Sequence, residues 1–566
     1  MLHFIDFEVF AHDWLCVIIS PTHKTKTVIV NDPDELKDYY GKYKNEIFVG
    51  YNIRHYDQYI FKGILLGFNA KDVNDWIIVK DKMGWQYSDL FRNVNINIFD
   101  TMPGKVGLKK LEAFMGNSIE ESDVDFTLNR KLTTDEIAQT IDYCTHDVEQ
   151  TMQVFLHRKS TFDAMLGLIR EFKLPLNHLG KTDALLAAAI LGASARKYHD
   201  EWDIRLPDTV QLGKYEAVGQ WFLNPENQRE KAMLNTEIAG VPHDFGWGGV
   251  HGAVKNYIYE CTPDEIMLMV DVDQLYPTLM SQYGILSRSI TLPERFDSIL
   301  NTSLELKAKG EKKRRAPFKL ICNIVYGASG DEVNPMYDPL NRNLVCVFGM
   351  VLMVDLIDKV ESFCEVIQSN TDGVLLKLKR ADMARLDAAI TEWEHRTRLH
   401  MSRTEYKKII QKDVNNYIII AADGSYKGKG VVVKEQNPLD YDCAIINEAA
   451  INYFIHGIPP EKTIRSCTEL IKFQQICHVS RNFDYGLHGL NPLKERTNRV
   501  FASTDLRDGA VMRGKRGQNP VRFADTSMNC FIENGDVKNM PIPEKLDRDF
   551  YINLVQRKID KFLGKE

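Results

Sequence analysis

The pattern of apolar and polar residues predicts a series of strands and helices from the start of the chain. Residues 2–10 and 16–20 are predicted strands, and residues 47–52 are predicted to pass from a strand into a helix. Another strand is predicted to end just before Asp100. A helix is expected to begin near Thr134, because acidic residues in a first turn favour a helix N-terminus. Several of these elements carry acidic residues at their ends.

Predicted strands in the middle of the chain also carry aspartates at their ends. An apolar run over residues 267–270 leads directly to Asp271, and residues 365–378 predict two strands joined by a tight turn that carries Asp372. A strand fixes a carboxylate oxygen while the adjacent turn opens the space around it, which suits a metal ion. Either aspartate alone is as well explained by the solvation of a strand end.

A basic predicted helix lies between these two aspartates. Residues 293–309 and 312–329 predict an antiparallel pair of helices around Gly310. Positions three and four apart share one helix face, and that face of the second helix carries Lys312, Arg315, Lys319, Asn323 and Tyr326. Metal ions clamp phosphates and Lys or Arg neutralises the developing charge, so the combination predicts a site for a metal–triphosphate.

Four carboxylates near the start of the chain form a second candidate metal site. They lie on separate predicted elements and are Asp6, Glu8, Asp57 and Asp147. Brought together, they would repel one another unless divalent cations neutralised them, which is typical of a two-metal nuclease. Any one of them alone is equally explained by the frequency of acidic residues at strand and helix ends.

Three motifs in the central part of the chain resemble, in order, the polymerase motifs of family B DNA polymerases of the phage type. They are Asp271-x-x-Gln-Leu-Tyr-Pro, Lys319-x-x-x-Asn323-x-x-Tyr326-Gly327 and the turn Asn370-Thr371-Asp372-Gly373. The turn departs from the family pattern, Asp-Thr-Asp-Ser, at its first position, where Asn370 replaces an aspartate. The resemblance assigns metal binding mainly to the second aspartate of that turn, here Asp372.

Three further motifs resemble those of the proofreading 3′-5′ exonucleases. They are Asp6-x-Glu8, Asn52-x-x-x-Tyr56-Asp57 and Tyr143-x-x-x-Asp147. The resemblance covers about residues 1–160 and implies an RNase H-like fold. It also implies that Asn52 and Tyr56 contact the substrate strand and that Tyr143 positions the attacking water.

The same resemblance implies further substrate contacts in the polymerase part. Lys319 and Arg315, helped by Lys312, would grip the triphosphate, while Asn323 and Tyr326 would pack under the nascent base pair. Tyr276 would exclude ribonucleotides by blocking the position of a 2′-hydroxyl.

Two other segments resemble DNA-contacting parts of the family. Residues 245–252, predicted to be a loop, contain Gly248 and Gly249 and resemble the Tyr-x-Gly-Gly linker that touches template DNA. Tyr417 occupies the place of the family's primer-gripping Lys-x-Tyr, which leaves open whether Lys412 or Lys408 supplies the phosphate contact.

The predicted fold class is a multidomain chain of α/β and α+β type, in which an RNase H-like exonuclease precedes a palm–fingers–thumb polymerase. Residues 430–566 are expected to mix helices with a Gly-, Arg- and Lys-containing stretch, and their position in the chain suggests the thumb. The predicted domains are the exonuclease (1–160), a helical connector with the linker loop (161–260), the palm (261–290 and 331–429), the fingers (291–330) and the thumb with the C-terminal region (430–566).

Composition narrows the class of protein. A chain of 566 residues with 44% apolar and 26% charged residues suggests several packed units of a soluble globular protein. No apolar run is long enough to span a membrane, and the first residues do not resemble a signal peptide. The ten cysteines include no Cys-x-x-Cys pair, which argues against structural zinc and for a reducing compartment, here a cytoplasm, of the host cell if the protein is viral.

The net charge of −7 is unusual for a protein that binds DNA, but residues 307–319 hold seven Lys and Arg residues against Glu311. We therefore expect primer–template DNA and dNTPs as partners, and two Mg²⁺ ions per active site with Mn²⁺ as an alternative. We expect a monomer, with a clamp, a helicase or a single-strand-binding protein as candidate helpers. Two alternatives stay open: a stand-alone repair or processing exonuclease with a DNA-gripping C-terminal half, and a non-catalytic single-strand-binding protein.

Overall fold

The computed structural model describes residues 1–196 and 198–565, which form a mixed α/β chain of two compact units. The first unit comprises Met1–Lys181, Gln436–Ile446 and Glu461–Leu554. The second comprises Thr182–Glu435, Asn447–Pro460 and the residues from Val555 onward. Among the described residues, no helix is both long and apolar enough to cross a membrane.

The first unit begins with a mixed five-stranded sheet whose order is β3-β2-β1-β4-β5. The central strand β1 runs antiparallel to β2 and parallel to β4. Its strands are β1 (Leu2–Val9), β2 (Trp14–Ser20), β3 (Thr25–Val30), β4 (Ile47–Gly50) and β5 (Ile98–Asp100). Its helices are α1 (Pro33–Tyr43), α2 (Asp57–Leu65), α3 (Ala70–Ile77), α4 (Leu108–Phe114) and α5 (Thr134–Glu171).

Alternation along β1 separates its apolar and acidic side chains. Ile5, Phe7 and Val9 belong to a buried core cluster. Asp6 and Glu8 point to the other face, because successive strand residues face opposite sides of a sheet. The predicted start of α5 is confirmed: the Thr133 hydroxyl accepts the Glu136 N–H at 3.2 Å, and the Glu136 carboxylate accepts the Thr133 N–H at 2.8 Å. This reciprocal pair is a capping box, which satisfies N–H groups that the helix itself cannot.

The second unit contains a seven-stranded sheet in the order β13-β10-β12-β11-β8-β7-β6 and a four-stranded sheet in the order β16-β15-β14-β9. Its elements before the long apolar helix are α6 (Asp183–Ile190), α7 (Glu216–Leu223), β6 (Met233–Ile238), β7 (Val241–Gly246), β8 (Gly249–Ala253), β9 (Tyr257–Glu260), β10 (Glu265–Val272), α8 (Leu275–Gln282), α9 (Pro293–Ala308) and α10 (Lys312–Ser329). The remaining elements are α11 (Pro339–Val360), β11 (Glu365–Asn370), β12 (Gly373–Lys379), α12 (Met383–Thr397), β13 (Met401–Tyr406), β14 (Lys408–Asp413), β15 (Asn416–Ile420) and β16 (Tyr426–Lys429).

Several predicted elements of this unit are confirmed. The helix pair α9 and α10 has the expected bounds, and Gly310 adopts a positive φ of 70° between them. The strands β11 and β12 form the expected hairpin. The apolar helix α11 begins at Pro339, where Asp338 accepts the Asn341 N–H and caps the helix.

Two expectations for this region are corrected. The predicted loop over 245–252 is a β-hairpin of β7 and β8, and Trp247 at its turn is buried. The predicted helical connector over 161–260 is divided between the two units, and its second half forms strands β6 to β9. Strands β6, β7 and β8 pair with their neighbours in sequence, while β8 also pairs with β11 and β9 pairs with β14.

The expected C-terminal region over 430–566 is also divided between the units, which differs from the predicted single thumb region. Residues 461–554 belong to the first unit and are rich in strands rather than helices. Two small sheets have the orders β17-β20-β23 and β19-β18-β21-β22. The elements are α13 (Ala444–His456), α14 (Pro460–Ser466), β17 (Gln475–His478), β18 (Tyr485–His488), β19 (Asn491–Pro492), β20 (Thr497–Ala502), β21 (Val511–Gly514), β22 (Val521–Arg522), β23 (Cys530–Ile532) and α15 (Arg548–Phe562).

Candidate functional site

The four carboxylates predicted in the first part of the chain lie close together in the first unit. Asp6 and Glu8 project from β1 towards α5, where the Cys144 thiol donates to Asp6 Oδ2 at 3.5 Å. Asp57 is the first residue of α2, and Asp147 lies one turn after Tyr143 on α5. We call Asp6, Glu8, Asp57 and Asp147 the first carboxylate cluster.

Burial and mutual repulsion disfavour the charged forms of these carboxylates. Burial and then the nearby Asp147 raise the pKa of Asp6 to about 7. Burial followed by its acidic neighbours, Asp6 first, holds the pKa of Glu8 and that of Asp57 well above the usual range. The pKa of Asp147 is raised to about 6 by burial, although Lys109 opposes this shift. A cation placed among these groups would relieve both effects.

Lys109 of α4 supplies one positive charge to the cluster. Its ammonium forms an ion pair with Asp147, lies 3.1 Å from Glu112 Oε1 and sits 4.7 Å from the centroid of the Tyr143 ring. Burial lowers the pKa of Lys109, but Asp147 and Glu112 outweigh that effect and raise it. Lys109 is not among the site residues predicted from the sequence, since its only local signal is the acidic residue three positions later, Glu112.

The donor set of the first carboxylate cluster fits a divalent cation. Asp57 Oδ1 is buried without a hydrogen-bond partner among the residues that the structure describes. The Lys109 ammonium already occupies a cation position beside Asp147. Carboxylate oxygens on separate rigid elements are the ligands that Mg²⁺ and Mn²⁺ prefer.

Asp100 organises the backbone that precedes Asp57. Its carboxylate accepts the N–H groups of Asn52 at 3.0 Å, Arg54 at 3.1 Å and Met102 at 2.9 Å. This holds Asn52 at a positive φ of 58°. The Tyr56 hydroxyl donates to Asn74 Oδ1 at 2.8 Å, so Tyr56 is tied to α3. The strand contacts expected of Asn52 and Tyr56 stay predictions.

The second candidate site lies in the seven-stranded sheet. Asp271 of β10 pairs with Gly373 of β12 on one side and with Ser402 of β13 on the other. A side chain at Gly373 would collide with the Asp271 carboxylate, so this position requires glycine. The Val272 N–H donates to the Asp372 carbonyl at 2.8 Å, which ties the hairpin turn to the end of β10.

Burial and neighbouring charges of both signs shift the pKa of Asp271. Burial raises the pKa of Asp271 to about 6, Lys427 lowers it, and the adjacent Asp372 raises it again. Lys307 of α9 forms an ion pair with Asp273, which stands two residues after Asp271. Lys307 belongs to the basic stretch at residues 307–319 but had no predicted role, and Lys427 is not among the predicted site residues.

A cavity of about 500 Å³ opens beside these aspartates. It is lined by His251, Val272, Gln274, Leu275, Tyr276, Pro277, Asn323, Asn370, Thr371, Asp372 and Lys429. The rings of Tyr276 and Tyr326 lie 4.3 Å apart, and the Tyr326 hydroxyl lies 2.8 Å from Cys346 Sγ. The cavity therefore joins the aspartate-bearing hairpin to α8 and α10.

The predicted polar face of α10 partly borders this cavity. Lys312, Lys319, Asn323 and Gly327 are exposed, whereas the Arg315 guanidinium is half-buried and donates to Ser303 Oγ of α9 at 3.3 Å. Asn323 is the member of this face that lines the cavity. The phosphate contacts expected of Lys312, Arg315 and Lys319 stay predictions.

The Gly248–Gly249 turn and Tyr417, both predicted to contact DNA, have different surroundings in the structure. Gly249 packs so closely on Thr371 that a side chain there would clash, and the Val250 N–H donates to Thr371 Oγ1 at 3.3 Å. The Gly248–Gly249 turn thus supports the Asp372 hairpin. Tyr417 is only 3% exposed and belongs to an apolar core cluster. The expected primer contact of its ring is corrected, because alternation in β15 turns that ring inward.

Lys412, the candidate partner of Tyr417 in primer binding, lies in β14. Its side chain is half-buried, and its ammonium donates to the Lys561 carbonyl at 2.9 Å, near the end of α15. Lys408, the alternative, lies 3.8 Å from Glu260 Oε2. Both lysines therefore have partners within the protein, and the choice between them stays open.

Comparison with known proteins gives little guidance for this chain. No protein-family model matches it, and no curated protein matches it. Among solved structures, it is similar to the family B DNA polymerase from the hyperthermophilic archaeon Pyrobaculum calidifontis, with a TM-score of 0.43 and 13% identity over 100% of this chain and 78% of that chain. A likeness at this level assigns neither a fold nor an activity, so function must be inferred from the chain's own residues.

Proposed function

We propose that this protein is a template-directed DNA polymerase of the phage-like family B type that also digests DNA from the 3′ end. The main observation that supports this proposal is that two separate sets of carboxylates lie in two separate units. One is the first carboxylate cluster, and the other comprises Asp271 and Asp372 beside a cavity of about 500 Å³. The motif resemblance supports the assignment of digestion to the first unit and synthesis to the second.

In the first unit, Asp6, Glu8, Asp57 and Asp147 would hold Mg²⁺ or Mn²⁺. Such an ion, when bound, polarises a phosphodiester oxygen and lowers the pKa of water. Burial, followed by Asp147, keeps the pKa of the Tyr143 hydroxyl above its usual range, so this hydroxyl stays protonated and can orient a water by hydrogen bonding. Hydrolysis would join that water to phosphorus and break the bond to the 3′ oxygen of the preceding nucleotide.

In the second unit, Asp271 and Asp372 would hold the metal ions beside the cavity. Tyr276 and Asn323 would contact the sugar and the base of the incoming nucleotide, since both line the cavity. Lys319 and Arg315, with Lys312, would neutralise the triphosphate from α10. The primer 3′ oxygen would attack the α-phosphorus, and pyrophosphate would leave.

The two activities can be separated in one experiment. The purified chain is incubated with a 5′-labelled primer annealed to a longer template, in Mg²⁺, with and without dNTPs. We expect extension of the primer with dNTPs and its shortening without them. Shortening without any extension would instead identify a stand-alone exonuclease. Binding of the DNA without either reaction would identify a non-catalytic binding protein.

A further inference from the structure

Two histidines and one glutamate meet in the first unit, away from the first carboxylate cluster. His3 is the second residue of β1, His23 lies in the turn between β2 and β3, and Glu46 directly precedes β4. Glu46 Oε2 lies 2.8 Å from His3 Nε2 and 3.2 Å from His23 Nε2. One ligand atom from each of the three residues lies within 4.8 Å of the other two. We call His3, His23 and Glu46 the His–Glu cluster.

The His–Glu cluster and the first carboxylate cluster lie on opposite faces of β1. His3 and Ile5 share one face, whereas Asp6 and Glu8 point to the other, because successive strand residues alternate between the two sides of a sheet. Ile5 and Phe48 belong to one apolar core cluster, and the His3 ring stacks on Phe48 with centroids 5.2 Å apart. A cation at His3 would therefore be separate from the ions proposed for digestion.

Packing and one hydrogen bond fix the orientation of the His3 ring. The residue is completely buried, and its ring centroid lies 4.7 Å from that of Tyr43. His3 Nδ1 lies 2.8 Å from the Tyr39 hydroxyl, which can donate or accept a hydrogen bond. Tyr39 can therefore satisfy Nδ1 in either neutral tautomer of His3. This leaves His3 Nε2 able to present either a proton or a lone pair towards Glu46.

The protonation states favoured by these surroundings are those that metal ligands require. Burial lowers the pKa of His3 and outweighs the opposing effect of Glu46, so the neutral imidazole is favoured. Burial alone would raise the pKa of Glu46, but hydrogen bonds from His3 and His23 outweigh it and lower that pKa. Neutral imidazole and ionised carboxylate are the forms that bind metal ions. The Met1 nitrogen, 3.8 Å from Glu46 Oε2, is too distant for a hydrogen bond to that oxygen.

The donor atoms and their spacing fit a transition-metal dication. Zinc sites with an open position use three protein ligands plus water, and two histidines with one glutamate are one such ligand set. Tetrahedral ligand atoms about 2.0–2.2 Å from the metal lie about 3.4 Å from one another, so the separations of 2.8 and 3.2 Å found here need only small side-chain shifts. Imidazole suits Zn²⁺, Ni²⁺ and Cu²⁺, whereas Mg²⁺ prefers oxygen ligands. His23 is only half-buried, so water can reach the cluster as a fourth ligand.

We propose that the His–Glu cluster binds one Zn²⁺ ion, or a similar transition-metal dication, through His3 Nε2, His23 Nε2 and Glu46 Oε2. Each imidazole then carries its proton on Nδ1, where the Tyr39 hydroxyl accepts it from His3. The ion links the start of β1, the turn between β2 and β3 and the start of β4, so its binding stabilises the folded first unit. This role does not depend on the digestion or the synthesis proposed above.

Cobalt is a visible probe of such a site, because Co²⁺ absorbs visible light more strongly when it is four-coordinate. The full chain is freed of metal with EDTA, desalted and titrated with Co²⁺ in a large excess of Mg²⁺, which occupies all-oxygen sites. We expect one Co²⁺ per chain, displaced by Zn²⁺. His23→Gln and Glu46→Gln should each weaken Co²⁺ binding about 100-fold or more, and Tyr39→Phe about tenfold, since it removes only an outer hydrogen bond. His12→Gln and Glu35→Gln make the same changes at exposed residues of the first unit and should bind Co²⁺ as the wild type does.

Thermal unfolding adds a readout that does not use cobalt. Zn²⁺ at about 100 times its dissociation constant should raise the Tm of the wild type by about 3 °C and leave that of His23→Gln unchanged. Absence of the cobalt spectrum in the wild type, or wild-type Co²⁺ binding by folded His23→Gln and Glu46→Gln, would overturn the proposal. An intense near-ultraviolet band typical of cobalt–thiolate bonding would overturn it as well, because it would place the ion at a cysteine. None of these outcomes bears on whether the protein digests or extends DNA.

Discussion

The two carboxylate sites differ in how deeply their acidic side chains are buried. The first carboxylate cluster gathers four acidic groups from β1, α2 and α5, and burial raises the pKa of every one of them. In the second unit, two aspartates lie on neighbouring parts of one sheet, beside an open cavity and near Lys427 and Lys429. Four closely packed carboxylates are unfavourable when all are ionised and no cation neutralises them. The second site, with two aspartates beside a cavity, leaves room for a large polyanionic ligand.

This difference matches two kinds of substrate handling. A compact cluster of carboxylates suits metal ions and one phosphodiester. The second site is proposed to admit a triphosphate, a sugar and a base together, and its cavity is lined by residues of six elements, namely β8, β10, α8, α10, β11 and β16.

The largest effect is expected from removing two ligands of the first carboxylate cluster. Asp6→Ala with Glu8→Ala should lower digestion by about 10³-fold or more, because each lost carboxylate leaves the bound metal under-coordinated. Primer extension by the same protein should stay near the wild-type rate, which also serves as the folding control. The measurement is the rate of primer shortening without dNTPs, and persistent digestion would place the nuclease elsewhere.

The reciprocal variant tests the second site. Asp372→Asn keeps the size of the side chain at the hairpin turn but removes its charge, so extension should fall by about 10³-fold or more. Digestion should be retained, since the first carboxylate cluster is untouched. Near-normal extension in single-turnover assays would show that this turn does not bind a catalytic metal.

A smaller effect is expected at the ring of Tyr276. Tyr276→Ala should raise incorporation of ribonucleotides relative to dNTPs by about tenfold or more, because the ring lines the cavity where a 2′-hydroxyl would project. The ratio of kcat/KM values for the two nucleotides measures this. Tyr326→Phe is the control, since it keeps the ring beside Tyr276 and removes only the hydroxyl beside Cys346. An unchanged ratio in Tyr276→Ala would make this tyrosine a packing residue.

Removing the Lys109 ammonium beside the first carboxylate cluster should have a modest effect on the Mg²⁺ dependence of digestion. Lys109→Met removes the ammonium that competes with metal ions for Asp147, so half-maximal digestion should need about threefold less Mg²⁺. Lys307→Met, which frees Asp273 in the other unit, should leave this Mg²⁺ dependence unchanged. A higher Mg²⁺ requirement for Lys109→Met would mean that the lysine assists metal binding instead.

The smallest change is expected at Asn370. Asn370→Asp should alter extension by less than about threefold, because asparagine already supplies the turn propensity and metal binding is assigned to Asp372. Steady-state extension rates of the two proteins are compared at matched Mg²⁺. A large gain in activity would reveal that position 370 can bind metal and is weakened in this chain.

Much of the local structure could be read from short segments. The start of α5 was predictable from the acidic residues of its first turn, Asp135 and Glu136, and the hairpin at Asp372 was predictable from its turn residues. The breaks between α9 and α10 follow from Gly310. Such features are determined by neighbours in sequence, which is why local patterns suffice for them.

The C-terminal strands could not be predicted in the same way. They are two to six residues long, too short for a clear alternation, and they are stabilised by partners elsewhere in the chain. Tyr417 shows the related limit on side chains. A motif can place a tyrosine at the right position in the chain, but only the pairing of β15 decides that its ring faces the core.

The carboxylates of the two candidate sites can be named from the sequence, because the motifs that carry the family resemblance consist of residues close together in the chain. The groups that surround these carboxylates come from distant segments. Lys109 reaches Asp147 across 38 positions of sequence, and Arg499 reaches Ala113 across 386. Buried charges must find partners wherever the fold brings them, so the counter-charge of the first carboxylate cluster depends on packing rather than on sequence pattern.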